Sequence, residues 1–207
     1  MSGDRMPKRG RPTAAERTLR RERILDAAVS AFAARGFGGT SLDDVAAVAG
    51  VTKRTLYVDV GDKAALFTAA VEREHDHIRA VALRHPHDLL SAATEIVHVL
   101  HSDRAVALHR AVIADAPDFP GLAERFYATG PAHSIAVLER GLPHGPLARH
   151  RATALYSLLL GERHRRRLLG LDPAPTREDA ADHAASSLAL LGLTPDDRSP
   201  EPTARGF

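Results

Sequence analysis

Apolar and polar positions alternate along the chain with a helical rhythm almost throughout. From about Glu16 to Arg35 the apolar residues Leu19, Ile24, Ala27, Ala28, Ala31 and Phe32 recur at three- to four-residue spacing, and Gly36 stops the run. Ser41-Leu42-Asp43-Asp44 reads as a capping box that opens a short helix from Leu42 to Ala49, ended by Gly50. Thr52 can cap a third short helix carrying Lys53, Arg54, Thr55, Leu56 and Tyr57. After a break at Val60-Gly61-Asp62, with Asp62 as the next cap, a long helix runs from Lys63 to about Arg84, where His85-Pro86 ends it. Further helices are expected over about 88–101, 104–115, 120–140, 147–169 and 177–191. Gly130-Pro131 should kink or split the 120–140 segment. The pattern predicts an all-α fold of about nine helices: an N-terminal three-helix head, then a helical body.

Both ends break this rhythm. Residues 1–14 are polar and rich in Gly and Pro, and the tail from 194 to 207 is similar, so both are expected to be disordered. The expected organisation is a basic arm over 1–14, a head over 15–62, a body over 63–193 and a tail over 194–207.

Composition narrows the chemistry. Apolar residues make up 44% of the 207 positions but aromatics only 4%, so aliphatic side chains must fill the core. The absence of cysteine excludes disulfides and thiolate metal sites. No apolar run is long enough for a transmembrane helix, and no signal-peptide core follows the basic N-terminus, so a soluble cytoplasmic protein is expected. The net charge of +2 is uneven: residues 1–63 hold 12 Lys/Arg against 8 Asp/Glu, and the remainder 16 against 18. A basic front on a near-neutral body suits a polyanionic partner, although surface charge of this size also serves solubility alone.

The most informative stretch is Leu42 to Asp62. Two short helices joined by a tight turn need a residue that tolerates positive φ, which Gly50 supplies. They need a small residue at the crossing, supplied by Ala46, and an apolar wedge, supplied by Val45, Ala49, Val51 and Leu56. The second helix then offers Lys53, Arg54, Thr55 and Tyr57 outward, with its N-terminal end suited to the major groove. Taken by itself, the stretch also fits an ordinary helical hairpin with exposed basic residues, the less favoured alternative.

The segment from Arg23 to Phe67 resembles the tetracycline-repressor (TetR) family of bacterial regulators. The family's F-x-x-x-G-F/Y is matched from Phe32 to Phe37, its helix-turn-helix pattern from Thr40 to Tyr57, and its closing Lys and Leu-Phe at Lys63, Leu66 and Phe67. The segment from His109 to Pro131 resembles the ligand domain of the AefR-like branch. The resemblance implies that Thr40, Thr52, Tyr57 and Lys63 contact phosphates and that Lys53, Arg54 and Thr55 face base edges. Hydroxyls and lysine suit phosphate oxygens, and arginine suits guanine. Lys63 also begins a helix, where backbone N–H groups favour an anion. Asp59 and Val60 depart from the family's usual His-Phe, and Asp59 would repel a phosphate unless Lys63 or Arg54 neutralises it. The arm residues Arg9 and Arg11 can enter a minor groove, or belong to a solvated tail.

The resemblance further implies a homodimer that binds a palindromic double-stranded DNA operator and is released by a small-molecule ligand. The last two helices are the candidate interface, with Ala154, Leu158 and Glu162 on one and Ala180, Ala181, Ala184, Leu188 and Leu191 on the other. The ligand pocket is expected within residues 88–170, lined by His101, Phe126, Tyr127, His133 and Tyr156. The twelve histidines lack the spacing of a zinc-peptidase site and are expected to be surface or pocket groups. No metal or other cofactor, and no enzyme activity, is expected, because neither a nucleophile elbow nor a phosphate loop is present. The basic run His164-Arg165-Arg166-Arg167 is expected to complement a helix C-terminus. An architectural DNA-binding protein would share the heads but lack a pocket.

Overall fold

The computed structural model describes residues 13–84 and 88–193. Among these the chain forms ten helices and no strand: α1 (Ala14–Arg35), α2 (Leu42–Ala49), α3 (Lys53–Asp59), α4 (Lys63–Arg84), α5 (Leu89–Leu100), α6 (Asp103–Asp115), α7 (Leu122–Thr129), α8 (Pro131–Gly141), α9 (Ala148–Leu169) and α10 (Arg177–Leu190). The count exceeds the expected nine because Gly130-Pro131 splits the 120–140 segment completely. Pro131 opens α8 at its first turn, where its missing N–H costs no hydrogen bond. Arg9, Arg11 and the expected disorder of 1–12 and 194–207 lie outside the described residues. Thr13 and Ala14, assigned above to the arm, are the N-cap and the first residue of α1. Thr13 forms a full capping box with Glu16, whose carboxylate accepts from the Thr13 N–H at 2.7 Å.

The remaining helix ends have local causes. Ser41 caps α2 by accepting from the Asp44 N–H at 3.1 Å. Only this half of the expected box forms, and the Asp44 carboxylate instead lies 3.7 Å from Arg35. Asp62 accepts from the Ala65 N–H at 2.8 Å at the start of α4. Thr176 and Asp179 close a capping box at the start of α10.

Two apolar cores share α4. The first gathers α1, α2 and α3 around Leu66, Phe67, Ala70 and Val71 of α4, and also takes in Leu108 and Val112 of α6 and Leu122 of α7. The second joins Ile78 of α4 to α5, α8, α9 and α10. The head is therefore not a closed unit ending at residue 62, because its core runs on into α6 and α7. Phe32, Phe37, Phe67 and Phe119 make a chain of ring contacts at this junction, with centroids 5.0 to 6.0 Å apart.

α9 is broken in its middle. Gly161 has φ 37° and ψ −135°, outside helical space and in a region that disfavours any residue with a Cβ. The part beyond the break is tied to α6 by reciprocal arginines. Arg167, buried, donates to the His101 carbonyl at 2.9 Å and pairs with Asp103. Arg110 donates to the carbonyls of Arg167 and Leu168, each at 2.7 Å. The basic run at residues 164–167 is thus divided: His164 and Arg167 turn inward, Arg165 pairs with Glu162, and Arg166 pairs with Asp172.

The final helix is rotated relative to expectation. Ala180, Ala184 and Leu188 are 0%, 0% and 3% exposed and belong to the subunit's own second core. They were expected to face a partner and do not, because α10 packs that face on α5. The outer faces of α9 and α10 instead present Ala154, Leu158, Ala185, Ala189 and Leu190.

Candidate nucleic-acid interface and ligand cavity

The α2–α3 pair forms as its residue pattern requires. Gly50 takes a left-handed conformation (φ 66°, ψ 37°), and the Val51 N–H closes the turn on the Ala46 carbonyl at 2.9 Å. Val45, Ala46, Ala49 and Leu56 are buried between the helices. Thr52 caps α3 by accepting from the Thr55 N–H at 3.1 Å, and the two hydroxyls lie 2.9 Å apart.

The exposed side of α3 carries Lys53, Arg54 and Tyr57, while Thr55 is half-buried. Arg54 has no ion pair or hydrogen bond within the described residues. Lys53 pairs with Asp43 of α2 at 2.8 Å, but both partners are exposed. Such a pair contributes little to stability and yields readily to a competing anion. Tyr57, 60% exposed, is followed by the exposed Val58, and Val48 of α2 is exposed as well.

Two of the expected contacts are placed differently. The Thr40 hydroxyl is buried, with carbonyls of Ala31 at 3.1 Å and Gly36 at 2.7 Å as its acceptors. It secures the end of α1 and is not presented to a phosphate. Lys63 starts α4, but its ammonium sits 4.7 Å over the Phe37 ring and donates to the Gly38 carbonyl at 3.2 Å. Partial burial pulls its pKa below the usual lysine range, and the nearby Asp115 carboxylate opposes that shift. Asp115, at the end of α6, accepts from the N–H groups of Phe37 and Gly38. Lys63 and Asp115 thus fasten the α1–α2 turn to the body.

Asp59 is neutralised by neither Lys63 nor Arg54. Arg20 of α1 grips it with two hydrogen bonds of 2.6 and 3.1 Å, and Arg21 donates to its carbonyl at 2.8 Å. The hydrogen bonds that Arg20 donates to Asp59 hold its guanidinium above its ordinary pKa. The sequence offered Lys63 or Arg54 as the neutralising cation, whereas the one that reaches Asp59 comes from α1, 39 positions earlier in the chain.

The body holds a small, partly open cavity of about 30 Å³, bounded by His75 of α4, His109 of α6, Phe126 of α7 and Tyr156 and His164 of α9. Of the five expected pocket residues, Phe126 and Tyr156 line it. Tyr127 points to solvent and is 58% exposed, since its neighbour Phe126 takes the inward position on α7. His101 is buried behind the wall, edge-on to His164 at 5.0 Å, and His133 also lies off the lining. His75, His109 and His164 were missed, although each sits at helical spacing among apolar residues, which was the available signal. Burial lowers the pKa of all three, and that of His164 falls to about 3. Burial likewise raises that of the Tyr156 phenol. All four groups are therefore uncharged at neutral pH.

Residues 24–70 match the family described as bacterial regulatory proteins, tetR family, and residues 87–191 match the AefR-like transcriptional repressor C-terminal domain. A 97-residue segment is 37% identical to the HTH-type transcriptional regulator AcrR of Shigella flexneri. It spans 44% of this chain and 45% of AcrR, less than half of that relative. Among solved structures, a TetR-family regulator of Mesorhizobium loti aligns with TM-score 0.67 at 25% identity, covering 86% of this chain and 98% of its own. The flavonoid-responsive regulator FrrA aligns with TM-score 0.61 at 26% identity, covering 84% and 95%. No helix among the described residues is long and apolar enough to cross a membrane.

Proposed function

The chain belongs to the TetR family of transcriptional regulators, with an AefR-like C-terminal domain, and from that premise we propose that it represses transcription as a dimer, binds a palindromic operator and is released by a small ligand. The observation that carries the DNA-binding part is α3: a short helix behind a left-handed turn, with Arg54 unpaired and exposed at its N-terminal end. Arg54 and Thr55 read base edges. Lys53, which the resemblance assigned to a base edge, is given a phosphate here along with Thr52 and Tyr57, because its exposed pair with Asp43 can be exchanged for the DNA backbone. Lys63 reaches a phosphate only on leaving Phe37, so its contribution is smaller than that of Lys53. Because Arg20 already neutralises Asp59, the acid does not repel the DNA.

One α3 reads few base pairs, and a dimer reads two half-sites spaced by about one helical turn or a multiple. The exposed face of α9 and α10 around Leu158 supplies the dimer contact. A ligand that prefers heads misplaced for DNA lowers operator affinity by linkage. The likeness to a flavonoid-responsive regulator supports a small organic effector.

Selection from random duplexes followed by salt titration tests the reading. Enrichment of an inverted repeat is expected. Arg54→Ala should relax one base position in each half-site, at about 1–3 kcal/mol. Lys53→Ala should weaken all sequences alike and reduce the salt slope by about one unit. Recovery of no repeat, or unchanged binding in both variants, would overturn it.

A further inference from the structure

The chemistry of the effector can be read from hydrogen-bonding groups that the folded chain leaves unused. His75 Nδ1 lies 2.8 Å from the Val71 carbonyl. A carbonyl only accepts, so Nδ1 carries the proton, and Nε2 is a bare lone pair. That nitrogen is buried and has no partner. His109 Nδ1 and His164 Nε2 share one hydrogen at 3.0 Å, which leaves His164 Nδ1 buried and unpartnered in either tautomer. Both orphaned nitrogens belong to residues that line the same cavity. Other buried polar atoms without a partner, such as His133 Nε2 and Ser134 Oγ, belong to residues off this lining, and the two that belong to it favour a ligand with hydrogen-bonding groups there.

The walls restrict that partner. No Lys or Arg lines the cavity, and its one carboxylate, Glu74, is 3.2 Å from Arg104. An anion would meet no counter-charge, and a cation would compete with Arg104. Flat rings make up much of the lining: His109 and His164 stack at 5.3 Å, and Phe126 lies 5.1 Å from His109. Leu100, Leu108 and Leu160 complete an apolar surround. We propose that this cavity admits an uncharged aromatic molecule bearing a hydroxyl group, which donates to His75 Nε2 while its ring lies against Phe126 and the stacked imidazoles. The proposal deepens the effector reading above and rests on it.

The neutrality of the three imidazoles agrees with a ligand recognised by hydrogen bonds rather than by charge. The size of the cavity adds a consequence. About 30 Å³ holds a water, whereas a cavity of about 150 Å³ is needed for a benzene ring. The ligand must therefore spread α4, α6, α7 and α9. The spreading begins at His75, three turns along α4 from Lys63 and the junction with the head.

Calorimetric titration of the full chain with 2-naphthol, its methyl ether 2-methoxynaphthalene and 2-naphthoate tests this, with operator binding measured in parallel. The naphthol should bind at least tenfold more tightly than the ether, and the naphthoate no better than the ether. His75→Phe should bring naphthol and ether to equal affinity while circular dichroism stays unchanged. His75→Gln, which offers another acceptor, should keep part of the preference and covers the case in which the phenylalanine variant does not fold. Equal binding of naphthol and ether, tighter binding of naphthoate, no binding of any probe, or a preference that survives His75→Phe would each overturn the proposal. If DNA binding persists alongside such a result, the ligand class is wrong and the regulator reading stands. If naphthol binds as expected but no operator is found, the regulator reading fails instead.

Discussion

Replacing Gly161 by alanine has two opposite outcomes according to the shape of α9. In a continuous helix, glycine to alanine stabilises by about 0.5–1 kcal/mol. At φ 37° and ψ −135° the sign reverses. Space is not the obstacle, since a Cβ at this position meets nothing within 4 Å. The cost lies in the backbone, at about 1–3 kcal/mol for a non-glycine residue in such a region. Reduced freedom of the unfolded chain returns about 0.4–1 kcal/mol. The net expectation is destabilisation by about 1–2 kcal/mol. For a chain of this size each kcal/mol moves Tm by about 2–4 °C, so thermal unfolding followed by circular dichroism should fall by about 2–8 °C. The chain cannot evade this by straightening, because Arg167 and Arg110 would have to release His101, Asp103 and the Leu168 carbonyl. An unchanged or raised Tm would refute the break at Gly161.

Three further outcomes follow from contacts described above. Asp115→Ala removes the acceptor for two backbone N–H groups at the head–body junction and should lower stability by about 1–2 kcal/mol, with Asp115→Asn losing less; equal Tm values in all three proteins would refute that role. Leu158→Arg should yield a monomer in sedimentation with native circular dichroism and sharply reduced operator affinity, because Leu158 is 36% exposed in the single chain; a variant that stays dimeric would place the interface elsewhere. His75, His101, His109, His133, His164 and His183 all have pKa values lowered chiefly by burial, so the unfolded chain binds more protons than the folded one below about pH 6.5. Stability should be full above that pH and fall as the pH drops toward about 3, the value for His164. Urea midpoints that stay level between pH 7.5 and 5 would contradict this.

The helices were legible because their signals are local. Thr52, Asp62 and Gly50 each act within a few residues of themselves, and the Lys63–Arg84 and 147–169 patterns match α4 and α9 within one residue. The break inside α9 was not legible: apolar spacing continues through Gly161, and the contacts that hold the far half come from α6 and from His101 at the end of α5. The rotation of α10 was hidden for a similar reason. An alanine-rich helix is apolar on more than one face, and α5 chose which face it covered. The partner of Asp59 and the inward turn of Lys63 depend on residues 39 and 25 positions away. His75, His109 and His164 were not singled out among the twelve histidines because a neutral, buried imidazole carries the same letter as a charged surface one.

The handover between cores along α4 sets rules for recombination. A chimera that joins this head to another regulator's body at the start of α4 would leave Leu66, Phe67 and Val71 to be supplied by the foreign parent, against an α1 shaped for these side chains. It would also lose the complementarity of Leu108, Val112 and Leu122, which enter the same core from α6 and α7. The compatible crossover lies between Val71 and Ile78, with those three body residues carried along as a graft. Exchange of DNA specificity between such proteins is thus a matter of transplanting two noncontiguous pieces, and His75, the proposed ligand contact, falls on the seam.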